Sequence, residues 1–332
     1  MKITSSLKIS TKRIVAVMLG CISVFMSGCG SMGYDMPYSV DSEISSFRVV
    51  NIEEETRTAV PFAAELCVVS SDVALDKLDM TTVSGAALFD INSGETVYAK
   101  NVHEQLYPAS LTKVMTALVA LKYGTSDMML TASANVTNLE SGAQVCGLKE
   151  GDQMTLAQAL HVLLINSAND AAVMIAEGVA GSVEEFAALM NQEALAIGAT
   201  NTHFVNPHGL SDESHYTTVY DMYLIMNEAL NYDMFSEIIR MNSYTTVYYD
   251  KNGSNKELSV KSTNFYLAGE AKAPAGVTVL GGKTGTTNAA GHCLILVSKD
   301  TSNNPYISII LRAESRDDLY TQMTELLGEI NN

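Results

Sequence analysis

The spacing of apolar residues changes twice along the chain. Near residues 83–100, two short apolar runs flank a turn that contains Asp, Asn and Gly, a pattern typical of a β-hairpin. From about residue 110 to residue 231 the apolar positions recur every three to four residues, as they do on one face of a helix. Strand-like runs return after residue 240, and the chain closes on an amphipathic helix.

These patterns predict a mixed fold. Strands are predicted over 83–89, 95–100, 244–249, 257–260, 277–282, 292–298 and 306–313. Helices are predicted over 110–124, 155–165, 168–177, 182–197, 217–231 and 315–330. Strands at both ends with helices between them indicate an α/β (α+β) fold, in which both ends of the chain build one sheet and a helical subdomain packs on it. Two subdomains share a cleft, where we expect the active site.

The first 28 residues have the pattern of a bacterial export signal. Basic residues come first: Lys2, Lys8, Lys12 and Arg13. An apolar run over 14–25 follows, which is short for a membrane span. It ends in the sequence Met-Ser-Gly-Cys at 26–29, which resembles a lipobox and implies cleavage that leaves a lipid on Cys29. An ordinary secretory signal or an uncleaved anchor are the alternatives, and each places the protein outside the cytoplasm.

The rest of the chain divides by composition. Residues 29–80 are rich in Ser, Asp and Glu, which predicts a flexible tether, and residues 81–332 form the predicted globular domain. Removal of the four basic residues before Cys29 takes the formal net charge from −17 to −21. A charge this negative argues against nucleic acid or an anionic membrane surface as a partner.

The cysteines and histidines predict no metal and no cofactor. Beyond Cys29 the cysteines are an odd, widely spaced set: Cys67, Cys146 and Cys293. Such a set predicts neither a disulfide framework nor a metal cluster, and the six histidines lack the spacing of metal ligands. Cys293 lies in a buried-strand pattern, whereas Cys146 lies in a loop near glycines and is the thiol to examine for reactivity.

Ser110 and Lys113 are the first candidate pair. They lie where a Pro-containing loop passes into an apolar helix, and side chains three residues apart share a helix face. A neutral, desolvated lysine can take the proton of a serine hydroxyl and make it a nucleophile. Free N–H groups at the helix N-terminus can stabilise an oxyanion. Ser-x-x-Lys also occurs at 5–8, so the motif needs support from the rest of the chain.

Ser167 and Asn169 are the second candidate pair, at the break between two apolar helices. A hydroxyl and an amide at such a junction can point into a cleft while both helices hold the backbone. Ser-x-Asn also occurs at 133–135 and 302–304, but those segments are loop-like and lack flanking helices.

A Gly-Gly-Lys-Thr-Gly-Thr run at 281–286 is the third and most specific motif. Its glycines allow close approach of a ligand or another backbone, and its lysine can meet a carboxylate with threonine hydroxyls beside it. The alternatives are a phosphate loop and an ordinary strand end. A phosphate loop would need glycine at position 277, which is Val277.

The order Ser-x-x-Lys, Ser-x-Asn, Lys-Thr-Gly resembles the signature of penicillin-binding proteins and class A β-lactamases. From about Val83 to the end, the chain is similar to low-molecular-weight D-alanyl-D-alanine carboxypeptidases of the S11 peptidase family. Segments 108–110, 206–210, 221–222 and 290–291 also look like landmarks of that family. The resemblance implies a serine β-lactamase/DD-transpeptidase-like fold with an antiparallel sheet.

The resemblance also implies a role for each motif residue. Ser110 would attack the D-Ala–D-Ala carbonyl of a peptidoglycan stem peptide, with Lys113 as the base. Ser167 would pass the proton toward the leaving amine, and Asn169 would hold the substrate amide and Lys113. The substrate-binding strand would contribute Lys283, Thr284, Gly285 and Thr286, of which Lys283 and the two threonines would bind the terminal carboxylate. The N–H groups of Ser110 and Thr286 would form the oxyanion hole.

Partners and location follow from the same resemblance. The partners implied are stem peptides, β-lactams as covalent inhibitors, and the membrane through the lipid on Cys29. Many members add a β-rich domain, but only 46 residues follow Thr286, so we expect none here. Some members carry an arginine where this chain has Tyr220, which would leave carboxylate binding to Lys283 and the threonines.

Two other functions could use the same three motifs. A class A β-lactamase needs a glutamate some thirty residues after Ser-x-Asn to activate water, and the segment 202–207 has none. A catalytically silent protein that senses β-lactams or wall fragments would use the same cleft. The motifs do not separate a carboxypeptidase from an endopeptidase or a transpeptidase, because these reactions share the acylation step.

Overall fold

The computed structural model describes residues 66–331. The strands are β1 Val83–Asp90, β2 Glu95–Lys100, β3 Met129–Thr131, β4 Gln153–Thr155, β5 Ser243–Tyr249, β6 Asn255–Lys261, β7 Thr278–Thr287, β8 Gly291–Lys299 and β9 Pro305–Ala313. The helices are α1 Thr112–Tyr123, α2 Leu156–Ile165, α3 Asn169–Ala180, α4 Val183–Ala196, α5 Val219–Ala229, α6 Asp233–Ile238, α7 Phe265–Ala268 and α8 Arg316–Gly328.

The main sheet is antiparallel and is built from both ends of the described chain, as predicted. Its strand order is β2-β1-β9-β8-β7, and β1 pairs with β9 from Val83 opposite Ala313 to Asp90 opposite Tyr306. The first hairpin therefore lies at one edge of the sheet, and β7, with the third motif, lies at the other.

Both faces of this sheet are covered, so its central strands are apolar on both sides. Along β1, Ala86 and Leu88 pack against α8, whereas Ala87 and Phe89 join the larger core under the helices. This is the period of two that a pleated strand imposes on its side chains. The α8 side is lined by Leu319, Met323, Leu326 and Leu327, the apolar face that the sequence predicts for that helix.

The helical part surrounds α1. The first nine residues of α1, Thr112 to Ala120, are all buried, because other helices and the sheet pack around it. A helix that is apolar on every side is typical of such a central position. A small second sheet with the order β3-β4-β5-β6 lies beside α2.

The structure differs from the predicted elements in several places, among them the three-residue strands β3 and β4, which are absent from the predicted strands. Helices α6 and α7 were not predicted, since four to six residues are too few to establish a helical period. A 3-10 turn over Ala109–Leu111 precedes α1. Strand β7 continues to Thr287 instead of ending at 282, because its glycines and lysine pair in regular register with β8 despite low strand propensity.

Part of the predicted tether is described and lies against the globular part. Cys67 and Val69 are buried in the main core, Met80 is buried beside α8, and Val73 forms a bridge with Ala99. The signal peptide, Cys29 and the tether up to residue 65 fall outside the described residues, so these predictions and the domain boundary at 80 stay predictions. No helix between residues 66 and 331 is long and apolar enough to span a bilayer.

Candidate active site

Ser110 lies in the 3-10 turn that leads into α1. Its side chain is half-buried, and its Oγ lies 2.8 Å from the Nζ of Lys113, one helical turn further on. The residue before it, Ala109, has a positive φ of 47°, a conformation that L-residues other than Asn and Asp rarely adopt. The spacing of three therefore brings hydroxyl and amine together as predicted.

Lys113 is fully buried and has three oxygen neighbours. Its Nζ lies 2.8 Å from Ser110 Oγ, 2.6 Å from Asn169 Oδ1 and 2.6 Å from the carbonyl oxygen of His208. Burial, together with the charge of Lys283, lowers the pKa of Lys113 well below its ordinary value, and Asp170 opposes this shift. The surroundings of this amine therefore favour its neutral form.

Ser167 and Asn169 occupy the junction between α2 and α3. Asn166 ends α2, Ser167 has a positive φ of 63°, and Asn169 is the first residue of α3. This sharp change of direction turns the Ser167 hydroxyl toward the sheet, where it accepts a 2.9 Å hydrogen bond from Lys283. Asn169 faces Lys113 instead, so the two residues of this motif connect the two lysines.

Lys283 lies on β7 and is also buried. Its Nζ donates to Ser167 Oγ at 2.9 Å and to the carbonyl of Thr284 at 2.7 Å. Burial lowers its pKa to about 7. Gly285 packs tightly here, because a Cβ would lie 3.0 Å from the backbone nitrogen of Ser110 and 3.1 Å from the Pro108 carbonyl, closer than most side chains pack.

A cleft of about 510 Å³ opens between the helical part and β7. Six of the predicted site residues line it: Ser110, Ser167, Asn169, Thr284, Gly285 and Thr286. Lys113 and Lys283 lie beneath this surface and reach it through the serines. No aspartate or glutamate lines the cleft among the residues that the structure describes.

Several cleft residues were missed by the sequence analysis. Thr263 contacts the hydroxyl of Thr284 at 2.5 Å, Gln144 forms part of the wall beside Asn169, and the exposed guanidinium of Arg316 lies at the start of α8. The carbonyl of His208 also escaped notice. A backbone atom leaves no mark in a sequence, whereas a cation at the start of the predicted C-terminal helix was a usable signal for Arg316.

Two residues considered in the sequence analysis do not line the cleft. The hydroxyl of Tyr220 donates to the Cys67 carbonyl at 3.1 Å. Cys146 faces the carboxylate of Asp170, and burial together with that negative charge raises the pKa of its thiol far above the ordinary value. A thiol held protonated in this way is a poor nucleophile. Within residues 66–331 no group of three or more His, Cys, Asp or Glu side chains could hold a metal ion.

Comparison with known proteins places this geometry in context. A family model described as D-alanyl-D-alanine carboxypeptidase, S11 peptidase, matches residues 74–315. The chain is 34% identical over 248 residues to the D-alanyl-D-alanine carboxypeptidase DacF of Bacillus subtilis, covering 73% of this chain and 60% of the relative. It is 33% identical over 249 residues to DacC of Escherichia coli, covering 72% and 59%. The chain thus spans about three-fifths of these curated relatives.

A solved structure agrees with the fold. The DD-transpeptidase of Streptomyces K15 superposes with a TM-score of 0.70 at 25% sequence identity, over 76% of this chain and 98% of that protein. The mixed fold with an antiparallel sheet that the resemblance implied is therefore confirmed.

Proposed function

This chain belongs to the S11 peptidase family of D-alanyl-D-alanine carboxypeptidases, and we propose that it removes the terminal D-alanine from peptidoglycan stem pentapeptides. The reaction would pass through an acyl-enzyme on Ser110. The observation that carries the proposal is the arrangement of three oxygen atoms around the buried amine of Lys113.

Those three contacts fit a neutral amine. The Asn169 Oδ1 and the His208 carbonyl can only accept hydrogen bonds, so they take both N–H groups of a neutral lysine. In the neutral form the remaining lone pair can turn to Ser110 Oγ, 2.8 Å away, and accept the serine proton. Lys113 is thereby the general base of the proposed acylation.

The proposed acylation needs no acid or base besides Lys113 and Ser167. Ser110 Oγ bonds to the substrate carbonyl carbon as its proton passes to Lys113, and the negative charge develops on the carbonyl oxygen. The N–H groups of Ser110 and Thr286 are the proposed oxyanion donors, and the close approach of Gly285 to Ser110 supports that pairing. The peptide C–N bond then breaks, and the proton reaches the leaving amine through Ser167. Water hydrolyses the ester and regenerates Ser110.

The strand side of the cleft supplies positive charge for the substrate carboxylate. Lys283 lies behind Ser167 and Thr284, and Arg316 lines the same cleft from α8. The hydroxyls of Thr284 and Thr286 are the proposed hydrogen-bond donors. With no carboxylate among the described cleft residues, an anionic end group meets no opposing charge there.

The same feature disfavours a class A-like β-lactamase. That reaction needs a carboxylate to activate the deacylating water, and the described lining of the cleft offers none. We therefore propose that β-lactams acylate Ser110 and remain bound to it as inhibitors. The likeness to a protein named a DD-transpeptidase makes transpeptidation the second candidate, since the acyl-enzyme would be the same and only the acceptor would differ.

We propose that the protein works at the cell wall, outside the cytoplasm. The export signal over 1–28 supports this location, and a lipid on Cys29 would attach the protein to the membrane. Treatment of intact cells with protease, followed by detection of the protein, tests the location. Mass spectrometry of the mature N-terminus tests the lipid.

Mass spectrometry of a pentapeptide muropeptide after incubation tests the reaction. We expect loss of one D-alanine with the wild type and none with Ser110→Ala or with enzyme pretreated with penicillin. A product joined to an added amino acceptor would instead indicate a transpeptidase. Rapid turnover of penicillin would indicate a β-lactamase, and penicillin labelling with an unchanged pentapeptide would indicate a silent binding protein.

A further inference from the structure

The peptide unit between Ala109 and Ser110 is held at both ends. Its N–H is the proposed oxyanion donor, and its carbonyl oxygen belongs to Ala109, which is buried with a positive φ of 47°. Because a peptide unit is planar, with its C=O and N–H pointing in opposite directions, fixing the Ala109 oxygen also fixes the direction of the Ser110 N–H. Whatever holds that oxygen therefore orients the proposed oxyanion hole.

Thr112 and Gly209 enclose this oxygen. The Thr112 hydroxyl donates to it at 2.8 Å, and the backbone N–H of Thr112 also points to it. A Cβ on Gly209, whose φ is +86°, would lie only 1.8 Å from the same oxygen and 2.8 Å from Thr112 Oγ1. Only glycine fits at 209, and its backbone packs directly against this oxygen.

His215 determines which way the Thr112 hydroxyl points. The backbone N–H of Val205 donates to His215 Nδ1 at 3.2 Å, so the ring proton of the neutral imidazole is on Nε2. Nε2 therefore donates to Thr112 Oγ1 at 2.8 Å, and the threonine proton is directed to Ala109. Burial lowers the pKa of His215 to about 4, which keeps the imidazole neutral near pH 7.

We propose that the series of hydrogen bonds Val205–His215–Thr112–Ala109, here called the His215 relay, orients the Ser110 N–H for transition-state stabilisation. His215 and Thr112 are then positioning residues, since neither lines the cleft. The inference rests on the proposed acylation of Ser110. It gives a buried histidine a part in setting the reaction rate.

Single-turnover acylation by a fluorescent penicillin tests the relay. Thr112→Val keeps the side-chain shape but removes the hydroxyl, and Thr112→Ser keeps the hydroxyl. We expect the first-order acylation constant of Thr112→Val to fall roughly ten- to a hundredfold, with little change in the noncovalent affinity, and Thr112→Ser to remain near the wild type. Thr217→Val is the matched control, because it removes another fully buried hydroxyl that bonds outside the relay, to Thr202.

Variants of His215 provide the second part of this acylation experiment. His215→Phe removes both ring nitrogens, whereas His215→Gln offers a carbonyl for Val205 and an amide for Thr112. We expect His215→Phe to resemble Thr112→Val, His215→Gln to recover part of the rate, and the double variant to be no slower than Thr112→Val alone. Additive losses in the double variant would overturn the relay, as would Thr112→Val acylating at the rate of Thr217→Val.

Thermal unfolding of each variant separates rate effects from loss of fold. If Thr112→Val does not fold, the comparison of His215→Gln with His215→Phe decides, and equal rates in that pair would contradict the inference. A wild type that takes up no penicillin would contradict the proposed function itself.

Discussion

Lys113 and Lys283 stand on opposite sides of one cleft, and their surroundings differ. Both are buried, and each contacts a serine hydroxyl at nearly the same distance, 2.8 Å for Ser110 and 2.9 Å for Ser167. Within residues 66–331, neither lies within ion-pair distance of a carboxylate. Lys113 has three oxygen neighbours, all fixed by helices and a buried turn, whereas Lys283 has two and lies on an edge strand.

This difference supports the proposed division of the cleft into a proton-transfer side, with Lys113, and a recognition side, with Lys283. The pKa of Lys113 is lowered well below the ordinary value because burial and the neighbouring Lys283 both disfavour its charge. That of Lys283 is lowered to about 7 by burial, so a substantial fraction remains charged near neutral pH. One lysine therefore suits a base and the other suits a partner for an anion, although the sequence presents both simply as lysines.

Exchange of each lysine for arginine gives the largest expected effect. Arginine keeps the positive charge but does not lose its proton. We expect Lys113→Arg to acylate with penicillin about 10²- to 10⁴-fold more slowly, the range of a lost general base. Lys283→Arg, the matched control, should lose less than about tenfold because its charge is retained. The measurement is the second-order acylation constant, with thermal unfolding to confirm the fold.

Full acylation of Lys113→Arg at the wild-type rate would contradict its role as the base. Equal decreases of the acylation constant in both variants would contradict the proposal that the two lysines have different roles.

The pH dependence of acylation sharpens the same comparison. Lys113 must be neutral, so the second-order constant rises with pH through the pKa of Lys113. Lys283 must be charged to bind a carboxylate, so the constant falls above pH 7 by up to about tenfold per pH unit. This fall above pH 7 is the alkaline limb of the profile. In Lys283→Arg it should move to higher pH or disappear, because the guanidinium stays charged.

A penicillin methyl ester, which lacks the carboxylate, provides the control on the substrate. Its wild-type profile should lack the alkaline limb, although its acylation is slower overall. An alkaline limb that persists with both the ester and Lys283→Arg would assign the limb to another group.

The motifs made the contact residues of the site predictable. The spacing of three between Ser110 and Lys113 predicts a shared helix face, and the helix break at Ser167 predicts a hydroxyl that points into the cleft. The sheet built from both ends follows from the order of the periodic segments. The observed contacts of Lys113 and Lys283 with the two serines agree with these expectations.

The supporting contacts could not be predicted, for physical reasons. The His208 carbonyl is a backbone atom, and the direction of the His215 relay depends on which ring nitrogen faces Val205. Asp170 lies next to Asn169 in the first turn of α3, where acidic residues are common, so its residue type carries no specific signal. Such contacts join residues far apart in sequence, and their residue types carry no periodic signal.

Substitution of Asp170 has the smallest expected effect on acylation. It tests which contacts fix the helical wall of the cleft. Its carboxylate is buried and accepts the backbone N–H groups of Cys146, Gly147 and Leu148. The loop that contains these residues also contributes the carbonyl of Gln144, which accepts the Asn169 N–H at 2.7 Å. Asp170 thus connects one wall of the cleft to the helix that carries Asn169.

Asp170→Asn should loosen this wall without removing any hydrogen bond of Lys113. It also removes the negative charge that opposes the lowering of the Lys113 pKa, so that pKa should fall further. An amide group has one acceptor oxygen, and its NH₂ would face a backbone N–H, so at least one donor of the loop loses its partner. We expect a loss of about 1–3 kcal/mol in the free energy of unfolding, faster proteolysis within 142–148, and a few-fold slower acylation. Asp152→Asn is the matched control, since Asp152 accepts one N–H, that of Lys149, at the far end of the loop. If both variants acylate at the wild-type rate while only Asp170→Asn loosens the loop, that wall contributes to stability alone, and the proton-transfer side of the cleft is held by α1 and the Pro207–Gly209 turn.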